Sequence, residues 1–259
     1  MLKKYDPDYG ADKVLAMKAE FDRPLNVSEQ LRLPFHYSEE VFKYFGAEVV
    51  DSIDNSEYEH ATIIRDLNIP VGDDLKNKYS CVWDGGTLEH IFNYPAALKN
   101  CMDMTAPGGY LILQTPANNC FGHGFYQLQP DIFFSILCEQ NGFTDTKVLA
   151  QDRWKRWYEI IPPGILKDRV EICLTKKPYM LTVISKKTGS VPETLTVQQE
   201  YFANIWTNRN TKWSSSSLLE KMFKTFAPNR ICQFIYFNIV CKLLEGRKKR
   251  RFYKPFKMS

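Results

Sequence analysis

The chain has 259 residues, of which 44% are hydrophobic and 25% charged, proportions that exclude a largely disordered chain and allow one sizeable core. The net charge of +4 is unevenly spread: residues 190–259 carry 13 Lys and Arg against 4 Glu, giving +9, whereas residues 1–189 carry 21 against 26, giving −5. The opening residues Met1 to Pro7 lack a signal-type apolar run, no stretch of about 18 apolar residues occurs, and the seven cysteines (81, 101, 120, 138, 173, 232 and 241) form no CxxC pair, so the expectation is a cytoplasmic protein with reduced thiols.

In chain order, Lys13 to Lys18 is read as a first strand, and Ser38 before Glu39–Phe45, closed by Gly46, as a capped helix. Glu48–Ile53 is a second strand stopping at Asp54, and Thr62–Arg65 a third stopping at Asp66. Tyr79–Trp83 is a fourth, broken at Asp84-Gly85-Gly86, where two glycines permit a tight turn. Pro95 opens a helix to about Met104. Pro107-Gly108-Gly109 reads as a turn into the strand Tyr110–Leu113, which Pro116 ends. Pro130 starts a helix through Asn141, with Gly142 as terminator. Runs around Lys147–Leu149 and Tyr179–Ile184 complete the sheet. This alternation predicts an α/β domain over 1–189 with a mostly parallel sheet. An insertion at about 151–178 carries Trp154, Lys155, Arg156 and Trp157, and a basic helical extension follows over 190–259.

Ligands of open parallel sheets bind beyond the carboxyl ends of the strands. Three aspartates recur there, namely Asp54, Asp66 and Asp84. Aspartate also favours turns and caps, so it is the recurrence that points to a site. A carboxylate at Asp54 suits the two hydroxyls of a ribose.

The runs Val82–Ile91, with Leu88-Glu89-His90 at its end, Ala106–Leu111 with its Pro-Gly-Gly, and His123–Tyr126 followed by Pro130-Asp131 and Asn141-Gly142-Phe143, resemble class I S-adenosylmethionine (SAM)-dependent methyltransferases over roughly residues 10–189. That resemblance implies a Rossmann-like seven-stranded sheet with helices on both faces, and SAM across the ends of its first four strands. It implies that Asp54 holds the ribose, that Asp66 and the backbone of Leu67 meet the adenine amino group, and that Asp84 and Gly85 line the methionine and sulfonium end. Carboxylate and carbonyl oxygens stabilise a sulfonium cation. One departure stands out. The family has a glycine-rich loop after the first strand, whereas Ala16–Phe21 contains no glycine. The departure motivates an alternative, a binding or scaffold protein that keeps the fold without the chemistry.

Methyl transfer to oxygen or nitrogen needs proximity and, for an alcohol, a general base. His90, just beyond strand four, and His123, between Gly122 and Gly124, are the candidates, with Asn118, Asn119 and Tyr126 to orient a small polar acceptor. A helix-start histidine that merely packs is an equal reading of His90. His36 and His60 lack such settings, and four scattered histidines predict no metal site. The histidine-bearing loop and the tryptophans of the insertion suit a sugar or sugar-phosphate, as do methyltransferases of surface-polysaccharide pathways. The acidic body and the lack of an Asn-Pro-Pro-Tyr motif argue against a nucleic-acid substrate. In the extension, Phe234–Leu244 followed by Arg247–Arg251 reads as an apolar helix with a basic end. It docks on the body, on a twin subunit in a homodimer, or peripherally on an anionic membrane through residues 230–257.

Overall fold

The computed structural model describes residues 38–152, 156–162, 178–199, 203 and 253–256. The expected first strand at 13–18, the glycine-poor loop at 16–21, His36, Trp154, Lys155 and the apolar run at 234–244 lie outside these residues. The fold is mixed α/β. A short helix α1 (Glu39–Tyr44) precedes two strand fragments, β1 (Ile53–Asp54) and β2 (Ile63–Ile64), which pair in parallel. The main sheet contains β3 (Tyr79–Asp84), β4 (Thr105–Asn118), β5 (Phe143–Asp152), β6 (Trp157–Ile160), β7 (Tyr179–Lys187) and β8 (Tyr253–Phe256). Its order is β3-β4-β7-β5-β6-β8. Helices α2 (Tyr94–Met104) and α3 (Pro130–Ile136) lie between β3 and β4 and between β4 and β5 in the chain.

Only β3–β4 pairs in parallel within this sheet, and its other four neighbouring pairs are antiparallel, so the expectation of a mostly parallel sheet is corrected. Strands β5 and β6 are joined by a short link, which forces the antiparallel sense. Strand β7 then runs against both of its neighbours. The strand count also differs, with six strands in one sheet and two apart, where seven in one sheet were expected.

Strand β4 is buried on both faces of the sheet. Its Leu111 and Leu113 join the large core with Leu98, Met102 and Phe133 from the two helices, while Tyr110 and Ile112 pack on the opposite face with Cys81 and Ile184. Such burial on both faces explains why its sequence is continuously apolar rather than alternating. Each of these large side chains contributes about 1.5–3 kcal/mol when fully buried. The expected turn at Pro107-Gly108-Gly109 is instead an irregularity inside β4: the register to β3 shifts between Tyr79 and Cys81, and Gly108 takes φ 79°. Gly109 fits because a Cβ there would meet the carbonyl oxygen of Ser80 at 2.7 Å. Pro116 does not end the strand, which continues to Asn118. In extended backbone a residue's N–H and C=O point to the same side. Because the carbonyl of Pro116 accepts from Leu128 N at 2.9 Å, the missing N–H falls away from β7 and costs no ladder bond.

Other boundaries contract for local reasons. The expected second and third strands shrink to two residues each, because the hydroxyl of Thr62 accepts from Ser52 N at 2.8 Å and takes a partner the ladder would need. Helix α3 stops at Ile136, whose carbonyl is taken by the Asn141 amide at 2.9 Å, and a separate 3₁₀ turn at Glu139–Asn141 precedes Gly142 at φ 82°. Of the described residues of the extension, 190–199 form no helix, Ala203 is helical with its N–H donating to the Gln199 carbonyl at 3.0 Å, and Tyr253–Phe256 adds a strand to the open edge of β6. An edge strand tolerates Pro255. No helix among the described residues is long and apolar enough to cross a membrane. Cys81, Cys101, Cys120 and Cys138 are free thiols, as the sequence predicts.

At the end of the sheet away from the strand-end loops, Lys187 is buried and donates to the carbonyls of Met102 at 2.9 Å and Thr105 at 2.8 Å and to Asn77 Oδ1 at 2.8 Å. It closes the carboxyl end of α2, where a cation is favoured. Burial nevertheless pushes its ammonium down to about 8.

Candidate functional site

Two neighbouring arrangements form at the carboxyl ends of the parallel strands. The first is a cavity of about 470 Å³ between the β1–β2 pair and the free edge of β3, and Asp54, Leu67, Asp84 and Gly85 all line it. Helix α1 walls one side through Phe42, whose ring meets the half-exposed Trp83 edge-on at 4.9 Å. Across the gap, the Tyr79 hydroxyl donates to Asp51 Oδ2 at 2.8 Å and Lys78 Nζ lies 3.4 Å from the same oxygen, tying the two sheets together.

Asp84 builds the turn it ends. Its Oδ1 accepts from the backbone N–H groups of Thr87 (2.8 Å), Leu88 (3.3 Å) and Gly86 (3.4 Å), while Oδ2 is buried without a hydrogen bond. Burial pushes the carboxyl up to about 6, the Thr87 donor opposes that rise, and the nearby Glu89 adds to it. Asp54 is similarly half committed, its Oδ1 accepting from the Ser56 N–H at 2.7 Å and hydroxyl at 3.0 Å.

Asp66 departs from its expected place. It does not line the cavity, and its Oδ1 accepts from both the backbone and the amide of Asn68 at 2.8 Å, bonds that hold its carboxyl below the usual range. Leu67 does line the cavity, and the residue that puts it there is one the sequence reading missed. Buried Asn100 on α2 donates to the carbonyls of Leu67 (3.0 Å) and Ile69 (2.8 Å) and accepts from Val71 N (2.9 Å). The signal was an asparagine between the apolar Ala97-Leu98 and Cys101-Met102 pairs of the helix.

The second arrangement surrounds the 3₁₀ turn Leu88–His90. His90 and His123 are both exposed, with ring centroids 5.2 Å apart. Between them and the body lies Glu89, fully buried, with His123 Nε2 at 3.5 Å from its Oε1. Neither carboxylate oxygen of Glu89 has a hydrogen-bond partner. The loop bearing His123 is seated by the carbonyl of Glu89, which accepts from Phe125 N at 2.9 Å and Tyr126 N at 3.2 Å. Gly124 permits this approach, since a Cβ there would stand 2.9 Å from that carbonyl oxygen. Gly122 takes φ 80°, a conformation glycine adopts freely.

The sequence shows no carboxylate–histidine cluster at ligand spacing, and the fold brings one together. One ligand atom from each of Glu89, His90 and His123 lies within 4.8 Å of the others. The sequence hid this because His123 arrives from a separate loop and Glu89 was read only as the neighbour of His90. Of the expected acceptor residues, Asn118 closes β4, Asn119 follows at φ 56°, and the Tyr126 hydroxyl is already given to the Phe92 carbonyl at 2.6 Å. None of the three lines the cavity. His60 is exposed at φ 58° and belongs to neither arrangement, although its chain neighbours Glu59 and Ala61 line the cavity. Arg156 of the expected aromatic-basic cluster pairs with Asp152 at 2.6 Å.

The two arrangements meet at Gly86. It lines the cavity, and a Cβ on it would lie 3.3 Å from Glu89 Oε1. With a φ of 114°, that position suits glycine. No protein-family model matches the chain, and no curated protein matches it either.

Proposed function

We propose that the chain is a SAM-dependent methyltransferase that binds the cofactor in the cavity beside β3 and methylates a small polar acceptor held near His90 and His123. One observation carries this reading: the carboxyl ends of β1 and β3, one strand from each parallel pair, line a single cavity, and four residues expected from the resemblance, Asp54, Leu67, Asp84 and Gly85, line it together. In this reading the unpartnered Oδ2 of Asp84 faces the sulfonium, and the free capacity of Asp54 takes the ribose hydroxyls. The parallel β1–β2 pair across the gap from β3 supports the finer, Rossmann-like form of the fold. His123, with a buried carboxylate at 3.5 Å, is the better placed base for an acceptor hydroxyl, and His90 stands beside it. A sugar or sugar-phosphate is the proposed acceptor class, and the protein works in the cytoplasm or at its membrane surface.

Calorimetric titration of the full chain with SAM and S-adenosylhomocysteine tests the cofactor claim. Binding that is lost in Asp84→Asn supports it, and no heat or thermal shift at millimolar ligand with a folded protein ends it. Labelled SAM offered with a sugar-nucleotide extract then reads the acceptor. A second reading, a binding protein that keeps the fold without catalysis, is favoured by the glycine-free Ala16–Phe21 segment. Cofactor binding without turnover of any acceptor would favour it.

A further inference from the structure

Glu89 poses a problem that the methyltransferase reading leaves unsolved. The side chain is fully buried and neither Oε1 nor Oε2 receives a hydrogen bond. An ionised carboxylate removed from water without donors carries a penalty of several kcal/mol, which a cation beside it would relieve. A proton on His123 is a poor remedy. Its Nε2 is 3.5 Å from Oε1, longer than a charge-assisted hydrogen bond, and it leaves Oε2 bare. It also gives no part to His90, whose ring stands 5.2 Å from that of His123.

A metal ion accounts for all three residues. One carboxylate and two imidazoles form the donor set that zinc and other first-row dications take when some coordination positions stay open. Around a tetrahedral ion with bonds of about 2.1 Å, ligand atoms stand about 3.4 Å apart. The ligand atoms here already lie within 4.8 Å of one another. Both histidines are exposed, so rotation of their side chains can close the remainder, whereas Glu89 is fixed by its burial. We infer that Glu89, His90 and His123 form a binding site for a first-row transition-metal dication, with Glu89 as the inner ligand and the histidines as an outer pair open to solvent. The open positions leave room for water or a substrate oxygen. This does not depend on cofactor binding, since no residue of the cofactor cavity is a ligand, and with the ion bound His90 and His123 serve as its ligands in place of the base role given to them above.

The test uses the full chain, stripped with a chelator and titrated with Zn²⁺ by calorimetry, and in parallel loaded with Co²⁺ for visible absorption. One Zn²⁺ per chain is expected, with binding weakened at least roughly tenfold in each of His90→Ala, His123→Ala and Glu89→Gln. The double variant His90→Ala/His123→Ala should lose the Co²⁺ ligand-field bands while its circular dichroism stays unchanged, because both rings are exposed. Absence of stoichiometric Zn²⁺ binding in the parent chain overturns the inference. Unchanged affinity in the double variant overturns it too, because that would place the ion on the thiols. SAM titration of the same preparation reads the other proposal separately.

Discussion

Asp84, the last residue of β3, and Glu89, in the turn that follows, are both buried carboxylates, and they are held in opposite ways. Asp84 receives three backbone N–H groups of its own turn on one oxygen, so folding the loop satisfies half the group. Glu89 receives none on either oxygen, although the backbone carbonyl of the same residue anchors a second loop. The difference teaches that burial alone does not define a site. The first carboxylate is built into its own turn with one oxygen to spare, and the second finds no donor in the fold on either oxygen. Breaking each in turn should therefore give different signatures.

The largest loss is expected from Asp84→Ala. Three N–H groups lose a charged acceptor, and Leu88 lies in the core, so stability should fall by about 2–3 kcal/mol in chemical denaturation. Asp84→Asn keeps an acceptor oxygen and should cost about 1 kcal/mol or less while removing SAM binding. Equal losses in the two variants would show that the turn does not depend on Oδ1.

Gly124→Ala comes next. The new Cβ would press on the Glu89 carbonyl at 2.9 Å, which is backbone and can yield only by moving the histidine loop. A cost of about 1–2 kcal/mol is expected, together with weaker Zn²⁺ binding, although no ligand has been changed. Retained stability and affinity would mean that the loop carrying His123 is seated by other contacts.

The pH dependence of ligand binding separates the two carboxylates further. With the Asp84 carboxyl raised to about 6 by burial, its contribution to stability is complete below the unfolded value near 3.8 and is lost as pH rises through 6. A sulfonium favours the ionised form. Affinity for SAM should thus decline as pH falls below about 6, by at most tenfold per unit. Asp84→Asn abolishes that slope together with the charge, and a flat profile in the parent chain would remove Asp84 from the sulfonium end.

How much of this was legible beforehand depends on which interactions set each feature. Helix α2 and strands β3, β5 and β7 follow as elements from local signals, such as Pro95 at a helix start and the apolar runs at Tyr79–Trp83 and Tyr179–Ile184. The strand-end aspartates were legible for the same reason, since a carboxylate at the end of an apolar run is a local pattern. Asp66 was misplaced because its partner, Asn68, is a neighbour whose competition for the carboxylate the pattern does not price. Pairing direction was misread because it depends on which distant strand fills the slot beside β4, and β7 fills it from more than 60 residues away. Glu89 was hidden for a related reason. Its burial depends on the loop at Gly122–Tyr126 folding back over the turn, a contact between segments that periodicity cannot see.

The smallest effect, and the one that decides the comparison, is expected from Glu89→Gln measured in chelator. If the carboxylate were a structural partner like that of Asp84, its neutralisation would destabilise the fold by well over 1 kcal/mol. Since neither oxygen has a donor, the substitution instead removes a desolvated charge at nearly constant volume. The amide brings two N–H groups that need acceptors in return, which limits the gain. The expected result is therefore a change of less than about 1 kcal/mol, in the stabilising direction, by urea denaturation without metal. Added Zn²⁺ should reverse the ranking, raising the stability of the parent chain by mass action while leaving Glu89→Gln behind. A clear loss of stability in chelator would show that Glu89 is satisfied within the fold, and the two carboxylates would then be alike.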